Sequence, residues 1–119
     1  MRRHRLVLAL FALLLLLLPL VTAVADETVI GGWTPIKNIG DPHVKEIAEF
    51  AVSEYNQSQK KSLVFQSVVR GETQVVAGIK YRLVISVNEG DSLANYEAVV
   101  WEKIWIKFRK LISFNKAGN

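Results

Sequence analysis

The chain has 119 residues, 50% of them hydrophobic, a formal net charge of +4 and no cysteine. Without thiols there is no disulfide, thiolate metal site or cysteine nucleophile, so a small domain must rely on one well-filled apolar interface. Arg2, Arg3 and Arg5 supply much of the positive charge; residues 26–119 carry 12 basic and 11 acidic residues, and that balance argues against a nucleic-acid-binding face.

The first 25 residues read as a secretory signal peptide. "MRRHR" is a cationic head, Leu6 to Leu18 is an unbroken apolar run, and Ala23-Val24-Ala25 ends in a small-residue cleavage pattern before Asp26. The run is short for a membrane span, which needs about 20 apolar residues, so no membrane partner is expected after cleavage. Residues 26–119 are then one domain.

That domain opens with Gly31-Gly32 and a short extended run, Trp33 to Ile39, in which Pro35 argues for an edge. A helix follows: Asp41 is a good N-cap and Pro42 fits the first helical position. Val44, Ile47, Ala48, Ala51, Val52 and Tyr55 recur at helical spacing and share one face. Beyond Lys61 the period becomes two. Leu63 and Phe65 alternate, Ser67 breaks parity before Val68-Val69, and a β-bulge is expected there. Ile79, Tyr81, Leu83, Ile85 and Val87 form a clean strand face. "NEGDSLAN", Asn88 to Asn95, reads as a polar loop, and "YEAVVWEK" and "WIKFRKLISF" as two further strands with a break near Lys103 to Trp105; the "NKAGN" tail is expected to fray. One helix followed by about four strands with short turns predicts an α+β fold, a single helix packed across an antiparallel four- to five-stranded sheet.

Catalytic equipment is sparse. His43 is the only histidine after the leader and reads as decoration of a solvated helix start; one histidine cannot build a His-rich zinc site. Glu46 and Glu49 read as solvated charges, "KFRK" (Lys107 to Lys110) as a solvated strand edge. No metal, cofactor or phosphate-binding motif is indicated, and an enzyme is not expected. Asn56-Gln57-Ser58 is an N-x-S sequon, which makes Asn56 a candidate N-glycosylation site.

Three apolar features have no obvious core to join. They are Gly31-Gly32, the "GETQVVAG" turn with Val75, Val76 and Ala77 at its tip, and Trp105 between the last two strands. In a meander of this order both turns fall at one end of the sheet, and the amino-terminal strand can start there too. Together they would form one apolar ridge suited to a concave, apolar-lined cleft.

This arrangement resembles the cystatins, specifically the plant cystatins, inhibitors of papain-like cysteine proteases. The family's amino-terminal Gly-Gly, Q-x-V-x-G loop and Pro-Trp loop are similar to Gly31-Gly32, Gln74-Val75-Val76-Ala77-Gly78 and Ile104-Trp105 here. The plant helix signature L-A-R-F-A-V-x-E-x-N is matched by Ile47 to Asn56, with Glu49 in place of the basic residue. Ile104 replaces the family proline, which implies a less rigid second loop. The resemblance implies a reversible, competitive inhibitor whose protease-binding residues are Gly31, Gly32, Gln74, Val75, Val76, Ala77, Gly78, Ile104 and Trp105. Val29-Ile30 would lie in the non-primed subsites, the chain bending away at Gly32, with Trp105 on the primed side. The leader implies a secreted or, after sorting, vacuolar location, and a defensive or endogenous role and a monomer are expected, with a domain-swapped dimer opening at the first loop as the alternative state. No residues follow Asn119, so the carboxy-terminal extension of some larger plant members is not expected. The alternative function is a non-inhibitory secreted binding module on the same fold.

Overall fold

The computed structural model describes residues 32–118; the leader, the segment through Val29-Ile30 and Gly31, and Asn119 lie outside them. Strand β1 (Thr34–Pro35) leads to helix α1 (Pro42–Gln59), then β2 (Val64–Val76), β3 (Gly78–Glu89), β4 (Ser92–Lys103), a single 3-10 turn (Ile104–Ile106) and β5 (Phe108–Lys116). The five strands form one antiparallel sheet in sequence order.

Local chemistry accounts for the helix ends. The Asp41 carboxylate accepts from the His43 amide at 2.8 Å, and Pro42 takes the first helical position. At the other end Lys60 sits in the left-handed region (φ 52°) and the Lys61 amide donates to the Asn56 carbonyl at 3.0 Å. The expected stripe faces the sheet: Val44, Ile47, Ala48, Ala51 and Val52 are buried, and Tyr55 is half-buried. They meet Tyr81, Leu83, Ile85 and Val87 of β3, Tyr96, Ala98 and Val100 of β4 and Phe114 of β5. Ala48, Ala51 and Ala98 are fully buried small residues, which lets the helix lie close to the sheet. Tyr55, Phe114 and Tyr96 stack beside it. Burial, reinforced by a 2.8 Å hydrogen bond to Glu89, pushes the Tyr96 phenol up to about 12, so it remains a neutral donor.

Several boundaries differ from the sequence reading. The expected bulge in β2 is present, with register shifts between Phe65 and Ser67 and between Val68 and Arg70. The expected strand over Trp33 to Ile39 shrinks to Thr34–Pro35, because Asn38 turns the chain: its side chain accepts from the Gly40 amide and its carbonyl from Asp41. Asn88 to Asn95 is not a long loop. Pairing runs unbroken to Glu89↔Ser92, leaving Gly90 and Asp91 as a two-residue turn with Gly90 at φ 65°. The tail is paired further than expected, the Ala117 amide donating to the Asn95 carbonyl at 2.8 Å.

Candidate functional site

The β2–β3 turn is tighter than its sequence suggests. Val76 pairs with Gly78 and only Ala77 is left between them, at the end of two long strands. Gly78 has φ 93°, a conformation that L side chains rarely adopt. A Cβ there would also sit 2.2 Å from the Glu102 carbonyl oxygen, so this glycine is required both for the turn and for close approach of β4.

The second turn lies at the same end. Lys103 pairs with Phe108, and Ile104–Ile106 closes the gap as a 3-10 turn that exits through Lys107 in the left-handed region (φ 51°). The two turns are fastened together: the Trp101 indole N–H donates to the Ala77 carbonyl at 2.8 Å, and Trp101 packs edge-on against Phe108.

Along this end the apolar residues face outward. Val75 is 72% exposed, Ile104 69%, Trp105 64% and Ile106 58%. Val76 and Gly78 are half-buried and Ala77 is exposed. β1 runs antiparallel to β2 with Thr34 opposite Thr73, so tracing back from Thr34 the chain heads toward the first turn. Gly32 is exposed with open space around it, and Trp33 is held by the Arg82 guanidinium 4.3 Å from its ring centre. The structure thus brings Gln74 to Gly78 and Ile104-Trp105 to one edge, with the chain at Gly32 directed toward it; Gly31 lies outside the described residues.

Residues missed in the sequence reading complete the edge. Ile106 adds a third exposed apolar group, and its signal was the run Ile104-Trp105-Ile106 itself. Trp101 reads in sequence only as a strand residue; its tether is a tertiary contact. His43 is not decoration. Its Nε2 lies 2.6 Å from Oε1 of Glu102, the buried carboxylate beneath the second turn, while Arg109 donates to Oε2 through Nε at 3.0 Å and a terminal nitrogen at 2.6 Å. Glu46 stays exposed as expected, at 3.3 Å from His43 and 3.7 Å from Arg109, whereas the Arg109 portion of "KFRK" is part of this cluster and not simply solvated. Burial pushes the Glu102 carboxyl up, but the Arg109 and His43 hydrogen bonds outweigh it and hold it below the usual carboxylate range.

Comparison with known proteins follows the same outline. A family model described as "Aspartic acid proteinase inhibitor" matches residues 36–117. The Arabidopsis thaliana protein "Cysteine proteinase inhibitor 5" is 52% identical over 113 residues, covering 94% of this chain and 91% of its own. The Actinidia chinensis var. chinensis protein "Cysteine proteinase inhibitor 1" is 56% identical over 86 residues, covering 72% and 74%, and "Cystatin-1" of Zea mays is 41% identical over 127 residues, covering 96% and 93%. The chain belongs to the plant cystatins. The fold agrees: the salivary cystatin of the soft tick Ornithodoros moubata superimposes with a TM-score of 0.65 at 23% identity, covering 74% of this chain and 98% of that one. This is a family of inhibitors and not of enzymes.

The cystatin helix signature has a structural basis at Asn56. Its amide nitrogen donates to the Leu63 carbonyl at 2.9 Å and its amide oxygen accepts from the Leu63 N–H at 3.0 Å. One side chain thereby splices the end of α1 to the start of β2. The sequon asparagine is half-buried with one amide hydrogen already committed. Among the described residues no cluster of three or more His, Cys, Asp or Glu side chains could hold a metal ion. On the open face a groove is lined by Arg70, Glu72, Arg82, Val84 and Glu97, and Glu72 there is bound to Arg82 at 2.8 Å.

Proposed function

We propose that this cystatin is a reversible, competitive inhibitor of papain-like cysteine proteases that inserts the edge formed by Val75 to Gly78 and Ile104 to Ile106 into the active-site cleft. One observation carries the reading. Apolar side chains that a small monomer would ordinarily bury are held outward on two turns locked to each other by the Trp101–Ala77 hydrogen bond. Burying each such side chain in a partner is worth about 1.5–3 kcal/mol, and a preformed edge avoids much of the ordering cost of binding.

The mechanism is steric. Ala77 and Gly78 present little side chain at the centre, Val75 and Val76 fill the cleft beside them, and Trp105 supplies an aromatic anchor on the primed side. The segment Val29-Ile30 up to Gly32 occupies the non-primed side in a substrate-like way, the glycines letting the chain turn away from the thiolate uncut. No covalent step is required of the inhibitor. The relatives named cysteine proteinase inhibitors support this target class, and the apolar leader over residues 1–25 supports a secreted or vacuolar protein.

A second reading comes from the family model whose description names aspartic acid proteinases. The deciding experiment titrates papain and, in parallel, pepsin with residues 26–119, alongside a Val76→Asp/Trp105→Ala variant of unchanged fold. Tight reversible inhibition of papain, lost in the variant, supports the wedge. Inhibition of pepsin alone overturns it, and inhibition of neither favours a non-inhibitory binding module.

A further inference from the structure

Four lysines surround the exposed edge, and none of them pairs with a carboxylate among the described residues: Lys80 on β3, Lys103 on β4, Lys107 at the exit of the 3-10 turn and Lys110 on β5. Lys80 and Lys110 are the direct cross-strand neighbours of Trp101 on its two sides. The Lys103 ammonium lies 4.3 Å from the Trp101 ring centre and 5.2 Å from that of Phe108, and the Lys80 ammonium lies 5.9 Å from Trp101. Two cations therefore converge on one indole. A ring face stabilises an exposed cation only modestly, and it does not cancel the repulsion between two of them.

Of the acids near the edge, those closest to Trp101 are already engaged, while Glu54 lines a groove with Lys110 without an ion pair to it. Glu72 is bound to Arg82, and Glu102 to Arg109 and His43. Glu97 lies opposite Val84, four positions further along β3 than Lys80, and Glu89 and Asp91 are at the far end of the hairpin. At about 3.3 Å per residue that end is on the order of 30 Å away, several Debye lengths at about 10 Å each in 0.1 M salt. Lys80, Lys103 and Lys107 thus have no free carboxylate beside them, and Lys110 has only Glu54 across one groove.

We propose that Lys80, Lys103, Lys107 and Lys110 form a steering surface for a protein whose cleft rim carries Asp and Glu side chains. It accelerates association and selects acidic-rimmed targets over neutral ones. The cluster is continuous with the apolar edge, since Lys103 immediately precedes Ile104 and Lys107 follows Ile106. Whatever covers the edge comes within reach of these ammonium groups, and carboxylates are the groups that complement them. This inference rests on the inhibitory reading above and names its preferred target surface.

The test measures association rates against two forms of one papain-like protease, differing only in whether the cleft rim carries carboxylates or the corresponding amides. Wild type should associate with the acidic form about tenfold faster at 20 mM than at 200 mM salt, in the range known for steered complexes, and show a flat salt response with the amide form. A Lys80→Gln/Lys103→Gln/Lys107→Gln/Lys110→Gln variant should lose the salt response on the acidic form, and the four-fold Lys→Arg variant should restore it. Equal rates and equal salt slopes for wild type and the Gln variant would overturn the steering surface while leaving inhibition intact. Absence of inhibition by wild type at every salt concentration would remove both readings. Loss of binding to anionic vesicles or to a DNA oligonucleotide in the Gln variant, with an unchanged slope on the protease, would overturn the proposal in favour of that other polyanion.

Discussion

The indole N–H of Trp101 reaches across from β4 to the backbone carbonyl of Ala77, 2.8 Å away at the tip of the neighbouring hairpin. A carbonyl at so tight a turn has no strand partner, and the indole both satisfies it and fixes where the tip stands relative to the second turn. The exposed edge is therefore one unit in which two turns are fastened together.

Trp101→Phe keeps a ring against Phe108 and removes only the donor. It should weaken protease inhibition about fivefold to tenfold, corresponding to about 1 kcal/mol for one hydrogen bond, with an unchanged α/β content by circular dichroism. Inhibition constants measured beside Trp105→Ala separate tethering from contact. The Trp105 change should cost more in affinity, about 2 kcal/mol as for an aromatic anchor, and nothing in stability.

Gly78→Ala meets two obstacles at once, a φ of 93° and a carbonyl oxygen 2.2 Å from the new methyl position. Backbone that must shift at such a site costs on the order of 1–3 kcal/mol. A urea titration should show a clearly lower midpoint with the same slope, because the strain acts on the folded state alone.

Ile104→Pro is expected to go the other way. Ile104 is the first residue of the 3-10 turn, where φ near −60° suits proline and an early amide is dispensable. Stabilisation of about 0.5 kcal/mol through a stiffer unfolded chain, with somewhat tighter inhibition, should be visible in thermal unfolding and titration. No change in either would mean the turn is already rigid.

Acid should loosen the site through Glu102. Its carboxyl is held below the usual range in the folded protein, so its contribution is present above the ordinary carboxylate pKa of about 4.3 and is lost as pH falls through the lower folded value. Stability should thus fall steeply only below about pH 4, as the proton enters and the Arg109 and His43 bonds weaken. Glu102→Gln should lower stability at pH 7 by about 2 kcal/mol, the scale of a hydrogen-bonded charged group, and flatten the acid limb. The residual slope would include Glu89, whose carboxyl is also held low, chiefly by the Tyr96 hydroxyl.

Asn56→Ala removes both bonds to Leu63 and leaves a half-buried backbone amide and carbonyl without them. A loss of about 1–3 kcal/mol should lower Tm by roughly 4–8 °C per kcal/mol for a domain of this size. Asn56→Asp keeps the acceptor and should recover only part of the loss.

Periodicity and punctuation in the sequence determined the helix from Asp41 onward, its buried stripe, the irregular β2 and the alternating face of β3, because these depend on neighbours a few residues apart. The same local logic placed both turns at one end of a meander, and with them Val75, Val76, Ala77, Gly78 and Trp105, while Ile104 entered only through the resemblance to the family's Pro-Trp loop. The Gly90–Asp91 turn was missed: a Gly-Asp pair between strand residues is a hairpin signal, but the polar residues around it made the stretch read as a loop. Tertiary structure alone decided what holds the edge together. Trp101 and Ala77 are 24 residues apart, and His43 and Glu102 are 59 apart. A histidine in the first turn of a helix and a glutamate in a strand look solvated until folding brings them together, and only the sheet's burial of Glu102 gathers the half-exposed His43 and Arg109 around it as one support for the second turn.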